Sequence, residues 1–165
     1  MILSQAEKIA EEIQNKLSPF CEPGRCVVAG SIRRCRPVVH DIDMVCIPSN
    51  QGQFAYTLQS LGKIKMSGKK IIRVGMGFTR GIDLDVYVAT PETWATLLLI
   101  RTGSTAHNVR LCIRARNAGM RLHADGAGLF KIVNEGGTES RIAGDTEESI
   151  FQALGLKYVD PKFRD

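Results

Sequence analysis

The sequence predicts an α+β fold in two parts: a mixed β-sheet domain with flanking helices over residues 1–90, and a small helix-led lobe over residues 91–165. Three observations support this prediction. The first half combines an amphipathic helix with several short apolar β runs. Glycine, proline and polar turn residues separate these runs. From Pro91 onwards, helical patterns predominate.

The first half begins with a helix and continues mainly as strands. Residues 4–17 place Ile9 and Ile13 on one face, and Ser4 with Glu7 three residues later has the spacing of a capping box. The predicted elements are a helix at 4–17, strands at 25–29 and 41–47, a short helix at 53–61, two short strands within 63–74, and a strand at 82–89. A loop punctuated by Gly75, Gly77 and Gly81 precedes the last of these strands.

The second half is predicted to contain three helices. Pro91 and Glu92 open the first, because proline is favoured at the first positions of a helix. Gly119 closes the second, as glycine commonly does. The predicted elements are helices at 93–101 and 104–118, short strands near 121–133, a polar glycine-rich loop at 134–144, and a helix from 146 or 147 to 154.

Composition excludes several classes of protein. The chain has 165 residues, of which 44% are hydrophobic and 24% charged, as is ordinary for a globular protein. Five cysteines without a C-x-x-C pair indicate free thiols in a reducing compartment, so a cytoplasmic protein is expected. No apolar run approaches the ~20 residues of a membrane span. The net charge of +5 suits a polyanionic partner.

Two strands carry paired aspartates. Asp41 and Asp43 stand in VVHDIDMVCI, and Asp83 and Asp85 repeat the pattern in GIDLDVYV. Side chains two apart on a strand share a face, so each pair of carboxylates converges. A divalent cation such as Mg²⁺ would relieve their repulsion. A single D-x-D is also common on edge strands whose polar face lies in water.

A phosphate-binding turn is predicted just upstream. In VVAGSIRRC an apolar strand meets Gly30 and Ser31 and then a turn of helix that carries Arg33 and Arg34. Gly30 lets the backbone approach a ligand, and amides at a helix start suit an anion. Ser31 can donate to a phosphate oxygen, and arginine can bind one bidentately. A solvated basic turn is the simpler alternative for the two arginines.

Taken together, these motifs resemble the DNA polymerase X family of nucleotidyltransferases. The pattern is GS-x-RR, D-x-D, a strand aspartate and then TGS-x-x-HN, and the segments RTGSTAHNVRL and IAGDTEESIFQALGL resemble its bacterial branch. The resemblance implies a nucleotidyltransferase palm at 1–90 and a nucleotide- and DNA-binding lobe at 91–165. It further implies a minimal member with palm and thumb-like lobe only, working distributively as a monomer without lyase or proofreading activity.

The resemblance assigns roles to individual residues. Asp41, Asp43 and Asp85 would be the catalytic carboxylates and the ligands of two Mg²⁺ or Mn²⁺ ions. Asp83 stands where the polymerase beta type has an arginine that orients these carboxylates, so we expect it to raise the site's demand for metal. The expected nucleotide-binding residues are Gly30, Ser31, Arg34, His40, Gly103, Ser104 and Asn108. Among them, Ser31 and Arg34 would bind the β- and γ-phosphates, Gly103 and Ser104 would pack against the incoming sugar, and Asn108 would reach the base.

Three departures from the family pattern bear on specificity. Ile100 and Arg101 replace a Tyr-Phe pair that helps exclude the ribose 2′-hydroxyl, so weak discrimination against ribonucleotides is expected. Cys112 replaces a thumb arginine that faces the templating base. His40 stands where many relatives have glycine and the template-independent branch often has histidine, although an accommodated turn residue is the simpler interpretation. Arginines at 110, 114, 116 and 121 are expected to contact duplex phosphates.

The predicted function is a template-directed DNA polymerase that uses dNTPs to fill short gaps or extend primer ends during repair, without a membrane partner. Two alternatives remain. One is a template-independent terminal transferase, or a nucleotidyltransferase that modifies RNA or protein. The other is a catalytically silent nucleic-acid-binding or antitoxin-like module, for which three converging carboxylates are not needed.

Overall fold

A computed structural model of the chain describes residues 1–76, 80–133 and 136–165. Its contacts divide it into two units, Met1–Ala89 and Thr90–Asp165. The division lies one residue before the boundary expected from the sequence. In the described part of the chain no helix is long and apolar enough to cross a membrane.

The first unit is built on a five-stranded mixed sheet in the order β1-β2-β5-β4-β3. Its strands are β1 (Cys21–Val28), β2 (Asp41–Pro48), β3 (Lys63–Ser67), β4 (Ile71–Gly75) and β5 (Asp83–Val88). Strands β2 and β5 are parallel, and the other pairs are antiparallel. Its helices are α1 (Leu3–Leu17), α2 (Gly30–Arg33) and α3 (Gln51–Leu61).

The core of the first unit lies between the sheet and the helices α1 and α3. Helix α1 contributes Ala6, Ala10, Ile13 and Leu17, and α3 contributes Phe54, Leu58 and Leu61. Ile42 and Met44 of β2 are fully buried in the same cluster. These two residues alternate with Asp41 and Asp43, so the face of β2 opposite the core carries the carboxylates.

The second unit combines three helices with a three-stranded antiparallel sheet in the order β6-β7-β8. The elements are α4 (Trp94–Thr102), α5 (Thr105–Asn117), β6 (Met120–His123), β7 (Gly128–Ile132), β8 (Glu139–Ala143) and α6 (Glu147–Ala153). Its apolar core is formed by Leu99, Ile100, Leu111, Ala115, Leu122, Leu129, Ala143, Ile150, Phe151 and Leu154. The mixed α+β fold predicted from the sequence is confirmed.

The end of the second unit is fixed by a buried ion pair. Arg164 is completely buried, and its Nη2 donates to Glu147 Oε2 at 2.6 Å. The guanidinium also lies 5.5 Å from the ring centre of Phe151 and 5.3 Å from that of Tyr158. These contacts tie the C-terminal residues to α6, where Thr146 and Ser149 form the capping box.

Three local predictions were wrong. Helix α1 begins at Leu3 without a side-chain cap, so Ser4 is not the N-cap. Tertiary contacts replace the cap: Ile2 bridges Val38, and the Leu3 amide donates to Pro37 O at 3.2 Å. Strand β1 begins at Cys21, four residues before the predicted start at residue 25, and has a bulge before Cys26.

The third error concerns the predicted loop at 134–144. Residues 139–143 of this segment form β8, which pairs with β7 from Ile132 to Leu129. Residues 134 and 135 lie outside the described residues, as do Gly77 and the two residues after it in the other predicted glycine-punctuated loop.

Candidate active site

Four aspartates lie in two rows on neighbouring parallel strands. The register of β2 and β5 pairs Asp41 with Asp83, and Asp43 with Asp85. Residues paired in register on adjacent strands point to the same face, about 4.8 Å apart. The three carboxylates expected to act in catalysis are therefore brought together, with Asp83 beside them.

The aspartates differ in burial. Asp41 is exposed, Asp43 is partly buried, and Asp85 is only 3% exposed. The pKa of Asp43 is raised to about 7, first by burial and then by the negative charges of Asp41 and Asp85, against the opposing effects of a hydrogen bond from Tyr87 and the charge of Arg34. Holding three ionised carboxylates together is thus unfavourable unless a cation is present, and oxygen ligands of this kind suit Mg²⁺ or Mn²⁺.

Two basic residues from β3 and β4 pair with the aspartates of β5. Arg73 donates to both oxygens of Asp85, from Nε to Oδ1 at 2.6 Å and from Nη2 to Oδ2 at 2.5 Å. Lys65 Nζ lies 2.5 Å from Asp83 Oδ2, and the Met76 amide donates to Asp83 Oδ1 at 3.1 Å. A carboxylate has about four lone-pair positions, so Arg73 leaves each oxygen of Asp85 able to accept a further ligand.

An open cavity of about 400 Å³ lies over this part of the sheet. Its lining comprises His40, Asp41, Lys65, Arg73, Gly81, Ile82, Asp83 and Asp85. His40 is therefore beside the carboxylates, on the exposed side of the site. Arg73 and Lys65 are the lining residues that the sequence did not predict, and only the strand pairing reveals them.

The turn after β1 holds Gly30 against Asp43. The Ala29 amide donates to Asp43 O at 2.8 Å, which joins the end of β1 to β2. Gly30 follows with a φ of +59°, and a Cβ at this position would overlap the Asp43 carboxylate. Glycine is therefore required here both by the left-handed backbone and by the close approach.

Ser31 lies on the single helical turn α2, and Arg34 is the residue that caps its C-terminus. The hydroxyl oxygen of Ser31 is buried and has no hydrogen-bond partner within the described part of the chain. The positive charge of Arg34 acts on Asp43, and burial lowers the pKa of Arg34 from its usual value. A buried hydroxyl that lacks a partner is the feature expected of a residue that awaits a ligand oxygen.

The second unit contains the remaining predicted nucleotide-binding residues. Gly103, with a φ of +73°, and Ser104 form the turn between α4 and α5, and Ser104 Oγ caps α5 by accepting from the His107 amide at 3.1 Å. Asn108 Nδ2 donates to Ile100 O at 2.8 Å. Asn108 Oδ1 is buried without a partner among the described residues, so it remains available as an acceptor.

Ile100 and Cys112, two of the residues that depart from the family pattern, lie in one groove of the second unit. Ile100, Asn108 and Cys112 line a groove of about 450 Å³, together with Arg116 and Arg121. Arg121 pairs with Glu139 at 2.9 Å, and Arg114 donates to Leu154 O at 3.0 Å. Arg110 and Arg116 are exposed on α5. Of the four predicted DNA-contacting arginines, two thus also have structural partners.

Known proteins resemble this chain in sequence and in fold. Residues 97–165 match the family model "DNA polymerase beta thumb". The DNA polymerase/3′-5′ exonuclease PolX of Bacillus subtilis is 28% identical over an alignment of 171 residues, gaps included. The alignment covers 99% of this chain and 28% of that protein. The chain is therefore similar to DNA polymerases of the X family. This confirms the family resemblance drawn from the GS-x-RR, D-x-D and TGS motifs.

Two further X-family proteins extend the comparison. Rat DNA polymerase lambda is 26% identical over 184 residues, which cover 98% of this chain and 32% of that protein. Leishmania infantum polymerase beta, solved as a ternary P/T complex, superimposes with a TM-score of 0.80 at 20% identity and covers 100% of this chain and 76% of that one. The chain thus spans less than a third of the two curated relatives' length.

Proposed function

We propose that this chain adds dNMP from dNTP to a primer 3′-hydroxyl under the direction of a template. Its substrates would be gapped or primed duplex DNA, as in short-gap repair, and synthesis would be distributive. The observation that carries the proposal is the register of β2 and β5, which brings the carboxylates of Asp41, Asp43 and Asp85 together.

Asp41, Asp43 and Asp85 fit the two divalent cations that such a reaction requires. Asp43 has a pKa of about 7, raised by its own burial and by its acidic neighbours, so a cation would stabilise its ionised form. Asp41, Asp43 and Asp85 would together supply the carboxylate oxygens that hold these ions. When bound, the ions lower the pKa of the primer hydroxyl and offset charge on the leaving pyrophosphate.

The remaining residues bind and orient the nucleotide. Ser31 Oγ would donate to a phosphate oxygen, and Arg34 would add a charged hydrogen bond to the β- or γ-phosphate. Gly103 and Ser104 offer the turn against which the sugar packs. Asn108, held by Ile100 O, would present Oδ1 to a donor on the base edge. Arg73 would fix the orientation of Asp85 by bonding both of its oxygens.

Primer extension on a labelled duplex with a one-nucleotide gap tests the proposal. Each dNTP is supplied alone, first with Mg²⁺ and then with Mn²⁺, beside the Asp41→Asn/Asp43→Asn variant. Insertion of the complementary nucleotide, lost in the double variant, is expected. Insertion regardless of template would instead indicate a terminal transferase, to which His40 and Cys112 incline. DNA binding without insertion by either metal would indicate a silent binding module or a substrate other than DNA.

A further inference from the structure

Three buried cysteines converge on the first two strands of the sheet. Cys26 and Cys46 are direct partners across β1 and β2, and the bulge between Cys21 and Cys26 brings Cys21 to the same place. The Sγ atoms of Cys26 and Cys46 are 3.6 Å apart, and the three sulfur atoms all lie within 4.8 Å of one another. Cys21 is 7% exposed, Cys26 5% and Cys46 0%.

Packing alone explains each cysteine but not their convergence. Buried cysteine commonly serves as a small apolar residue, and each of the three is buried. The three thiols instead hydrogen-bond to one another within the apolar core. The pKa of Cys21 is lowered because the Cys26 and Cys46 thiols donate to it, and the pKa of Cys26 is raised because it is the donor.

We infer that Cys21, Cys26 and Cys46 form a three-thiolate site for a soft divalent metal ion of the zinc group. Thiolate ligands select such ions over the hard cations that suit carboxylates. A metal–sulfur distance of about 2.3 Å places three ligating sulfur atoms about 3.8–4.0 Å apart. The sulfur atoms need to move by less than about an ångström to reach that arrangement, given their present separations.

The charge balance favours a divalent ion. One M²⁺ that replaces the thiol protons forms three metal–sulfur bonds to three thiolates, and each displaced proton passes to solvent. The bound site then carries a single net negative charge, which keeps the charge in the apolar core small where charge is costly. A monovalent ion would leave two negative charges in the same surroundings.

The site would join the strand that carries Asp41 and Asp43 to its neighbour. Cys46 lies three residues after Asp43 on β2, and its partner Cys26 lies on β1. An ion held by both strands would fix their register and raise stability by mass action. The inference does not depend on polymerase activity, because it rests on the thiols alone.

Titration with Cd²⁺ tests this site on the full chain. The reduced protein is held in excess Mg²⁺, which occupies the carboxylates in preference to the thiols. Cd²⁺ is then added while its ultraviolet sulfur-to-metal charge-transfer band is recorded. Zn²⁺ is added to a second sample for the melting measurement. We expect one Cd²⁺ per chain, release of protons from the thiols on binding, and a higher melting temperature with either metal. Cys26→Ser is expected to weaken binding more than about tenfold.

The matched controls are the two cysteines outside the cluster. Cys35 is exposed and Cys112 is partly buried, and Cys35→Ser and Cys112→Ser should bind Cd²⁺ like the parent. Cys26→Ala provides a second removal of the ligand if Cys26→Ser does not fold. Equal binding by the parent and the folded Cys26 variant would overturn the inference, as would a charge-transfer band that disappears with Cys35 alone.

Discussion

Replacement of Gly30 by alanine is expected to disable the candidate active site more than it destabilises the fold. A Cβ on Gly30 would lie 2.8 Å from Asp43 Cγ and 3.0 Å from Asp43 Cβ, and it would overlap Oδ2. In protein structures a Cβ atom essentially never lies within 3.0 Å of a heavy atom from a residue that is not its chain neighbour. Since the neighbouring Ala29 amide is bonded to Asp43 O, the carboxylate is the group that must move.

The two consequences of this substitution have different magnitudes. Alanine in the left-handed region, at the φ of +59° of Gly30, costs about 1–2 kcal/mol. For a chain of 165 residues that loss corresponds to a decrease of roughly 2–8 °C in melting temperature. Displacement of a catalytic carboxylate by about an ångström costs on the order of 100-fold in rate.

Gly24→Ala provides the matched control. Gly24 lies in the same unit with a φ of +70°, and a Cβ there would meet nothing within 4 Å. It therefore reproduces the backbone strain without the contact to Asp43. We expect both variants to lose similar stability, whereas only Gly30→Ala loses single-nucleotide insertion and Mn²⁺ binding, measured by electron paramagnetic resonance.

The reasoning would be refuted if the insertion rates of the two alanine variants agreed within about threefold. That result would mean that the Asp43 carboxylate does not need its present position, or that the backbone at Gly30 moves instead. A Gly30→Ala protein with a much lower melting temperature than Gly24→Ala would show that the overlap is relieved by disrupting the sheet.

Three further predictions concern the carboxylates and the sugar. A carboxyl whose pKa rises on folding stabilises the folded state below its unfolded pKa, and that contribution declines as pH increases through its folded pKa, which is about 7 for Asp43. In EDTA, the free energy of unfolding of the wild type should therefore fall by up to a few kcal/mol more than that of Asp43→Asn as the pH rises from about 4 to 8. If thermal melts gave the two proteins the same dependence of stability on pH, this prediction would be contradicted. Arg73→Gln should lower metal affinity or turnover by about 10- to 100-fold, because Arg73 orients Asp85. If Lys65→Gln had the larger effect in the same assays, Arg73 would not be the residue that positions Asp85. Because Ile100 and Arg101 replace Tyr-Phe, the kinetic preference for dNTP over rNTP should stay below ~10³, or ~4 kcal/mol, and a larger ratio in single-turnover insertion would refute the expectation.

Short-range patterns predicted most of the elements and the paired aspartates. The alternation in DIDMVCI identifies β2 and places both carboxylates on one face, because side-chain direction depends only on the strand period. The segment at 139–143 was missed because ESRIA has little apolar content, and its strand exists through pairing with β7. A pattern search cannot detect a strand that its neighbour specifies.

Long-range pairing accounts for what the sequence left open at the site. Nothing in KKIIRVG indicates that Arg73 faces an aspartate twelve residues later, since the contact depends on the antiparallel register of β4 and β5. The cysteine cluster is similar, because a bulge brings Cys21 to Cys26 and Cys46. Such positions require the sheet order, which local propensity does not contain.

The basic residues of β3 and β4 bear on the choice between Asp83 and Asp85 as the third metal ligand. The chain has an acid at Asp83, where the family resemblance places an orienting arginine. Arg73 and Lys65 bring two positive charges to the same face from neighbouring strands, one to Asp85 and one to Asp83. The register sets Asp85 beside Asp43, and the negative charge of Asp85 raises the pKa of Asp43. Asp83, by contrast, accepts hydrogen bonds from Lys65 and from the Met76 amide. Asp85 is therefore the better candidate ligand, and Asp83→Asn should retain far more insertion activity than Asp85→Asn. Equal loss in both variants would mean that the paired acids act as one metal-binding group.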